Sequence, residues 1–77
     1  MNVYLFVKTE DNRPYVQTYY TEKRAREAML TEYHEERELM KDCIIESFYP
    51  KSGEVYHLSL TFSNGKRFSY DIITIMV

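Results

Sequence analysis

Thr21–Lys41, TEKRAREAMLTEYHEERELMK, decides the fold, because it is the one long run in the chain with helical spacing. Thr21 is placed to cap its start through the hydroxyl, and Glu22 follows where the helix dipole favours negative charge. At roughly 100° per residue, Ala25, Ala28, Met29, Tyr33, Leu39, Met40 and Cys43 share one stripe, and Lys23, Arg26, Arg37 and Lys41 fall outside it. The stripe predicts a helix lying on a sheet, with its small residues in the half that approaches the sheet most closely. Glu32 and Glu36 interrupt the middle of that stripe. A helix of about twenty residues is about 30 Å long, whereas a six-residue strand spans about 20 Å. The second half is therefore expected to overhang the sheet, leaving Glu32 and Glu36 wet or facing a partner.

Everything around the helix alternates like strand. Val3, Leu5 and Val7 oppose Tyr4, Phe6 and Lys8, which predicts an interior strand with one apolar and one partly aromatic face. Thr9–Pro14, TEDNRP, reads as a polar turn leading into Tyr15–Tyr20. That second strand sets Val16, Thr18 and Tyr20 against Tyr15, Gln17 and Tyr19, a polarity that suits a sheet edge. Beyond the helix, Cys43–Tyr49 is β-type and is stopped by a turn at Pro50–Gly53. Glu54–Phe62 then puts Tyr56, Leu58, Leu60 and Phe62 on one face and Val55, His57, Ser59 and Thr61 on the other.

The turn around Asn64–Gly65 leads into a last strand, Arg67–Val77. A strict two-residue loop would set Phe62 opposite Arg67 and Leu58 opposite Asp71, charge against the apolar face. A loop one residue longer, with Gly65 left-handed in a bulge, pairs Phe62 with Phe68, Leu60 with Tyr70 and Leu58 with Ile72, and is expected instead. Ile72–Val77 is apolar at nearly every position, which predicts burial on both faces or a contact made by the chain end. The fold class is α+β, in the order β-β-α-β-β-β: an antiparallel sheet of about five strands with one long helix on one face and the other face open. Residues 1–77 form a single compact domain on this reading.

Composition narrows the function classes. A net charge of -2 argues against direct nucleic-acid binding or an anionic membrane surface. No stretch approaches the about 18 apolar residues that span a bilayer, and the amino-terminal apolar run is too short for a signal peptide. One cysteine, Cys43, without metal-type Cys/His spacing suits the cytoplasm and excludes an internal disulfide; its place on the stripe makes it a core residue before a reactive thiol. The only two glycines, Gly53 and Gly65, serve turns, so no phosphate-binding loop is present and no cofactor or metal is expected. Eight tyrosines and four phenylalanines exceed what so small a core can hold, which leaves tyrosine for an interface.

Three constellations merit a chemical reading. His57, Ser59 and Asp71 share the open face, with Ser59 expected opposite Asp71 and His57 diagonal to it. Catalysis by such a set also needs an oxyanion site and a pocket, so a solvated polar face is the better reading and the chain is read as no enzyme. Glu46 is expected across from His57 as a surface contact. Glu32, Glu35, Glu36, Glu38 and Asp42 come from one helical stretch interrupted by Arg37 and Lys41, which is a solvated face or an acidic docking surface and no metal cage. Leu30, off the stripe with Arg26, Arg37 and His34, makes a small exposed cluster.

The layout resembles short single-domain proteins of phages and mobile elements, anti-CRISPR proteins among them, through its Met-x-Val-Tyr start, the hairpin into YYTEKRAREAM and the terminal strand pair. The resemblance implies a non-enzymatic inhibitor that binds a host protein or nucleoprotein complex in the host cytosol. Glu32, Glu35, Glu36, Glu38, Asp42, Tyr15 and Tyr19 are the partner-binding residues on this reading. The alternative is a homodimeric structural or regulatory module assembled through the open face or an edge strand, with Tyr15, Tyr19, Ile73 and Ile75 buried between copies.

Overall fold

The protein is described by a computed structural model that covers residues 1–51 and 53–77. In chain order it forms β1 (Asn2–Glu10), β2 (Arg13–Tyr19), α1 (Glu22–Leu39), a one-turn 3₁₀ segment (Lys41–Cys43), β3 (Ile44–Phe48), β4 (His57–Phe62) and β5 (Arg67–Met76). The strands make one antiparallel sheet in the order β2-β1-β5-β4-β3, so β1 is interior and β2 lies at an edge, as their polarity implied. The expected α+β fold is present. Ser52, within the turn expected at Pro50–Gly53, lies outside the described residues.

Local chemistry sets each junction. Asp11 and Asn12 both have positive φ, 47° and 78°, the pattern of a type I′ two-residue hairpin, whose twist matches that of the flanking strands. The polar turn is therefore tighter than the sequence suggested: Thr9 already faces Pro14, and Glu10 faces Arg13. Thr21 caps α1, its hydroxyl accepting from the Arg24 amide at 3.2 Å.

The β4–β5 turn carries the expected left-handed Gly65, φ 89°, but the extra loop residue is Ser63 on the β4 side. Phe62 donates to the Lys66 carbonyl at 2.9 Å, which sets Leu60 opposite Phe68, Leu58 opposite Tyr70 and His57 opposite Asp71. The expected register is thus off by two residues. A two-residue slip keeps every side chain on its face, and Phe62 and Phe68 still meet edge to face at 4.8 Å.

The core forms where α1 crosses the sheet. Ala25, Met29 and Tyr33 are fully buried over Leu58, Leu60 and Tyr70 of β4 and β5, with Phe6, Phe62 and Ile72 around them. Ala28, Leu30 and Met40 pack at its margin, so Leu30 belongs to the core edge and makes no exposed cluster. Leu39 and Cys43 are exposed, contrary to the stripe: Met40 takes the core-facing place in the last turn, which leaves Leu39 on the flank, and Cys43 lies in the 3₁₀ segment beyond the helix. The alternation also fails ahead of β4: Val55 is buried and Tyr56 exposed. Arg26 accounts for this, since it donates to the Val55 carbonyl at 3.4 Å, pairs with Glu22 at 2.7 Å and covers the Tyr56 ring. Ile73, Ile75, Met76 and Val77 are exposed, so the apolar end of the chain is not buried on both faces.

Candidate functional site

Three surfaces carry the residues singled out above. The first lies beneath α1. Tyr4, Phe6, Lys8 and Glu10 point from β1 toward the helix, and Lys8 keeps only 10% of its side-chain exposure. Its ammonium lies 2.6 Å from the Glu36 carboxylate, 2.9 Å from Glu10 and 3.0 Å from Glu32, and it rests over the Phe68 ring. Tyr70 donates to the same Glu36 carboxylate at 2.9 Å. Glu36 is therefore neither wet nor free for a partner, which corrects the expectation; its side chain is 15% exposed, whereas Glu32 keeps 43%. Beyond Glu36, Arg37, Glu38 and Leu39 are exposed, and Met40 returns to the margin of the core. Water screens Glu10 and Glu32, and the part of the cluster withdrawn from water balances one lysine against one glutamate. Lys8 takes the place a metal would occupy among these carboxylates, and no group of three metal-type ligands occurs among the described residues.

Two proton affinities follow from this packing. Burial alone would lower the Lys8 pKa, but hydrogen bonds to Glu36, Glu10 and Glu32 reverse that and hold it above the usual lysine value. Tyr70 is raised as well, first by burial and then by the Glu36 carboxylate that it faces. Both groups therefore keep protons in the folded chain at a pH where the unfolded chain has lost them. The stability they contribute is whole below about pH 10 and falls as pH rises through the ordinary tyrosine and lysine values, by up to about 1.4 kcal/mol per pH unit for each proton. Urea midpoints are expected to hold steady from about pH 7 to 9 and then drop steeply. A midpoint that stays level to about pH 11.5 would contradict the cluster.

Beside Lys8, a cavity of about 350 Å³ opens between the β1–β2 hairpin and α1, lined among others by Phe6, Lys8, Glu10, Tyr15, Gln17 and Glu32. Tyr15 and Tyr19 stand on this helix side of β2, opposite Lys8 and Tyr4. They do not share a face with Ile73 and Ile75, so the four residues expected to be buried together in a dimer lie on two sides of the sheet.

The second surface is the carboxyl-terminal end of the helix. Leu39 is 83% exposed, and His34, Glu35 and Glu38 line a shallow depression with it. Asp42 follows in the exposed 3₁₀ segment. Glu38 pairs loosely with Lys41 at 3.4 Å, both exposed, a contact worth under about 1 kcal/mol.

The third is the open face of the sheet. His57 Nδ1 lies 2.6 Å from Asp71 Oδ1, and the Phe48 ring is 5.8 Å from the imidazole. Ser59 is opposite Ser69, and Glu46 is opposite Thr61, so neither makes the contact expected of it. The two-residue slip between β4 and β5 is the cause for Ser59, and the β3–β4 register is the cause for Glu46. A His/Asp pair is present without the serine aligned to it. On the same face, Val3, Leu5, Val7, Val16, Ile73 and Ile75 form a continuous aliphatic stripe across β2, β1 and β5.

Sequence reasoning missed Lys8. The signal was there: a lysine sharing a strand face with Tyr4 and Phe6, and two glutamates in the middle of the helix stripe, are opposite charges aimed at one interface. No family model, curated protein or solved structure matches the chain.

Proposed function

We propose that the protein is a non-enzymatic binding module, an inhibitor of the anti-CRISPR type acting in the host cytosol on a defence nuclease complex, which it contacts through the carboxyl-terminal end of α1. The observation that carries this reading is Leu39, exposed and ringed by Glu35, Glu38 and His34, with Asp42 just beyond. An exposed apolar side chain inside an acidic rim complements a basic groove with an apolar floor, which is how a nucleic-acid channel presents itself. Tyr15 and Tyr19 extend the contact as broad, stiff side chains on the β2 side. Glu32 adds charge between the two, and Glu36 contributes to folding.

The test is phage challenge of bacteria carrying an active CRISPR nuclease, with and without the protein. Expression should restore plaque formation. The double variant Glu35→Lys/Glu38→Lys should lose at least about tenfold of that effect while keeping the circular dichroism of the parent, because like charges across the contact cost several kcal/mol. Protection of the phage that survives the double charge reversal, or its absence against every nuclease type tried, overturns the reading.

The aliphatic stripe of the open face favours a second reading, a homodimer through that face. In that case Ile73→Lys abolishes assembly and the two helix substitutions leave it intact.

A further inference from the structure

The two edges of the sheet are built differently. β3 is short, carries Glu46 and shifts register between Ile44 and Glu46, devices that keep an edge from pairing with other chains. β2 runs seven residues in unbroken register, and its only charged residue, Arg13, sits at the turn end. Its side chains are exposed from Arg13 to Thr18, with Val16 56% exposed, so nothing in the fold covers it.

The hydrogen-bond phase of that edge can be deduced. The Met1 and Val77 backbones exchange both bonds, 3.1 and 2.9 Å, which makes them a hydrogen-bonded pair of the β1–β5 ladder. Such pairs alternate in an antiparallel ladder, so Val3, Leu5, Val7 and Thr9 direct their amides to β5. Tyr4, Phe6, Lys8 and Glu10 then direct theirs to β2, where they meet Tyr19, Gln17, Tyr15 and Arg13. Pro14, Val16 and Thr18 are left pointing outward. That is the one phase in which Pro14, without an N–H, deprives β1 of nothing. The free N–H groups of β2 are thus those of Val16 and Thr18, and its free C=O groups those of Pro14, Val16 and Thr18.

We propose that two copies of the chain pair through β2, antiparallel about a twofold axis at Gln17, and join their sheets edge to edge. Val16 and Thr18 of each copy then face Thr18 and Val16 of the other, and all four outward N–H donors meet a carbonyl. Centring on Val16 instead would match the same four donors but draw Pro14, which has no N–H to give, into the joined ladder opposite Thr18. In the Gln17 register no charge opposes a charge. Tyr15 meets Tyr19 twice, Gln17 meets its own copy, and the Val16 end of each aliphatic stripe meets the other across the join. This inference is independent of the inhibitor reading, which places its partner on the helix end.

The test is sedimentation velocity over a concentration series reaching the millimolar range, paired with cross-linking. The wild-type chain should move from 9.3 kDa toward twice that mass. Thr18→Pro removes an outward N–H, contacts nothing on β1 through it, and should weaken the dimer about tenfold or more, since the bond is lost twice. Gln17→Cys in a Cys43→Ser background should oxidise to a disulfide dimer, because facing residues of a non-hydrogen-bonded pair have Cα atoms about 4.5 Å apart, within disulfide range. Ile73→Cys in the same background should stay monomeric on a non-reducing gel. A chain that remains at 9.3 kDa throughout overturns the proposal. So does a dimer that cross-links at Ile73 and not at Gln17, which assigns self-association to the open face.

Discussion

Lys8→Ala is expected to lower the free energy of unfolding by about 3–5 kcal/mol at neutral pH. The substitution removes the cation 2.6 Å from a Glu36 carboxylate that is 15% exposed, and it also empties the space the lysine stem fills under α1. A domain of this length is held by only about 4–12 kcal/mol, so the variant should be partly unfolded at 37 °C. Much of that cost is the penalty for a stranded carboxylate. The double variant Lys8→Met/Glu36→Leu, which removes both charges and keeps the volume, should therefore recover to within about 2 kcal/mol of the parent. Urea titrations of all three proteins, checked for an unchanged m-value, make the comparison. A loss under about 1 kcal/mol in the single variant would mean that water reaches Glu36 freely and that the cluster is only a surface network.

Leu60→Ala should cost about 2–5 kcal/mol, whereas Leu39→Ala should cost under about 0.5. The residue type and the substitution are the same. Leu60 has no exposed surface and lies under the helix between Phe62 and Leu58, so truncation leaves a cavity that the sheet cannot close. Leu39 is 83% exposed on the flank of the last turn, and its truncation removes little from contact. If Leu39→Ala cost as much as Leu60→Ala, the helix end would have to fold back on the sheet. In that event the exposed leucine with its acidic rim would not exist, and the proposed docking surface would go with it.

The difference between these two leucines shows what could be read from the residues alone. Helical spacing puts Leu39 at the margin of the stripe that holds Met29 and Tyr33, and the spacing alone does not say that Met40 takes the core-facing place beside it. Where a sheet ends beneath a helix is set by strand lengths and register, which no local pattern contains. The β4–β5 register illustrates the same limit: alternation is unchanged by a slip of two, so Leu60 opposite Phe68 and Leu60 opposite Tyr70 are equally good patterns. The choice rests with the loop, where Ser63 joins Asn64 and Gly65. Readings that depend on one residue's own chemistry held: Thr21 as cap, Gly65 left-handed, β2 as an edge, and Glu35, Glu38 and Asp42 exposed. The helix-on-sheet fold and the β1–β2 hairpin held as well, but the side-chain pairings that depend on register or on where elements cross did not. Glu36 meets Lys8 only because β1 passes under the later turns of α1, and Ser59 misses Asp71 because the hairpin is one turn residue different from the expected one.

The central pair of the sheet has a consequence for how the chain acquires its structure. β1 and β5 are hydrogen-bonded along their whole length, and their outermost partners, Met1 and Val77, are separated by 76 residues. The β1–β5 ladder cannot close until β5 is available, and a loop of that span has to be ordered before its bonds compensate for it. The β1–β2 hairpin, with its tight Asp11–Asn12 turn, forms quickly, but then waits with the β5 side of β1 unpaired. On the ribosome the waiting lasts until the final strand emerges. The nascent chain therefore passes through a period in which β1 offers a free strand edge beside Val3, Leu5 and Val7, and refolding in a test tube should be slow for a domain of this size and sensitive to protein concentration.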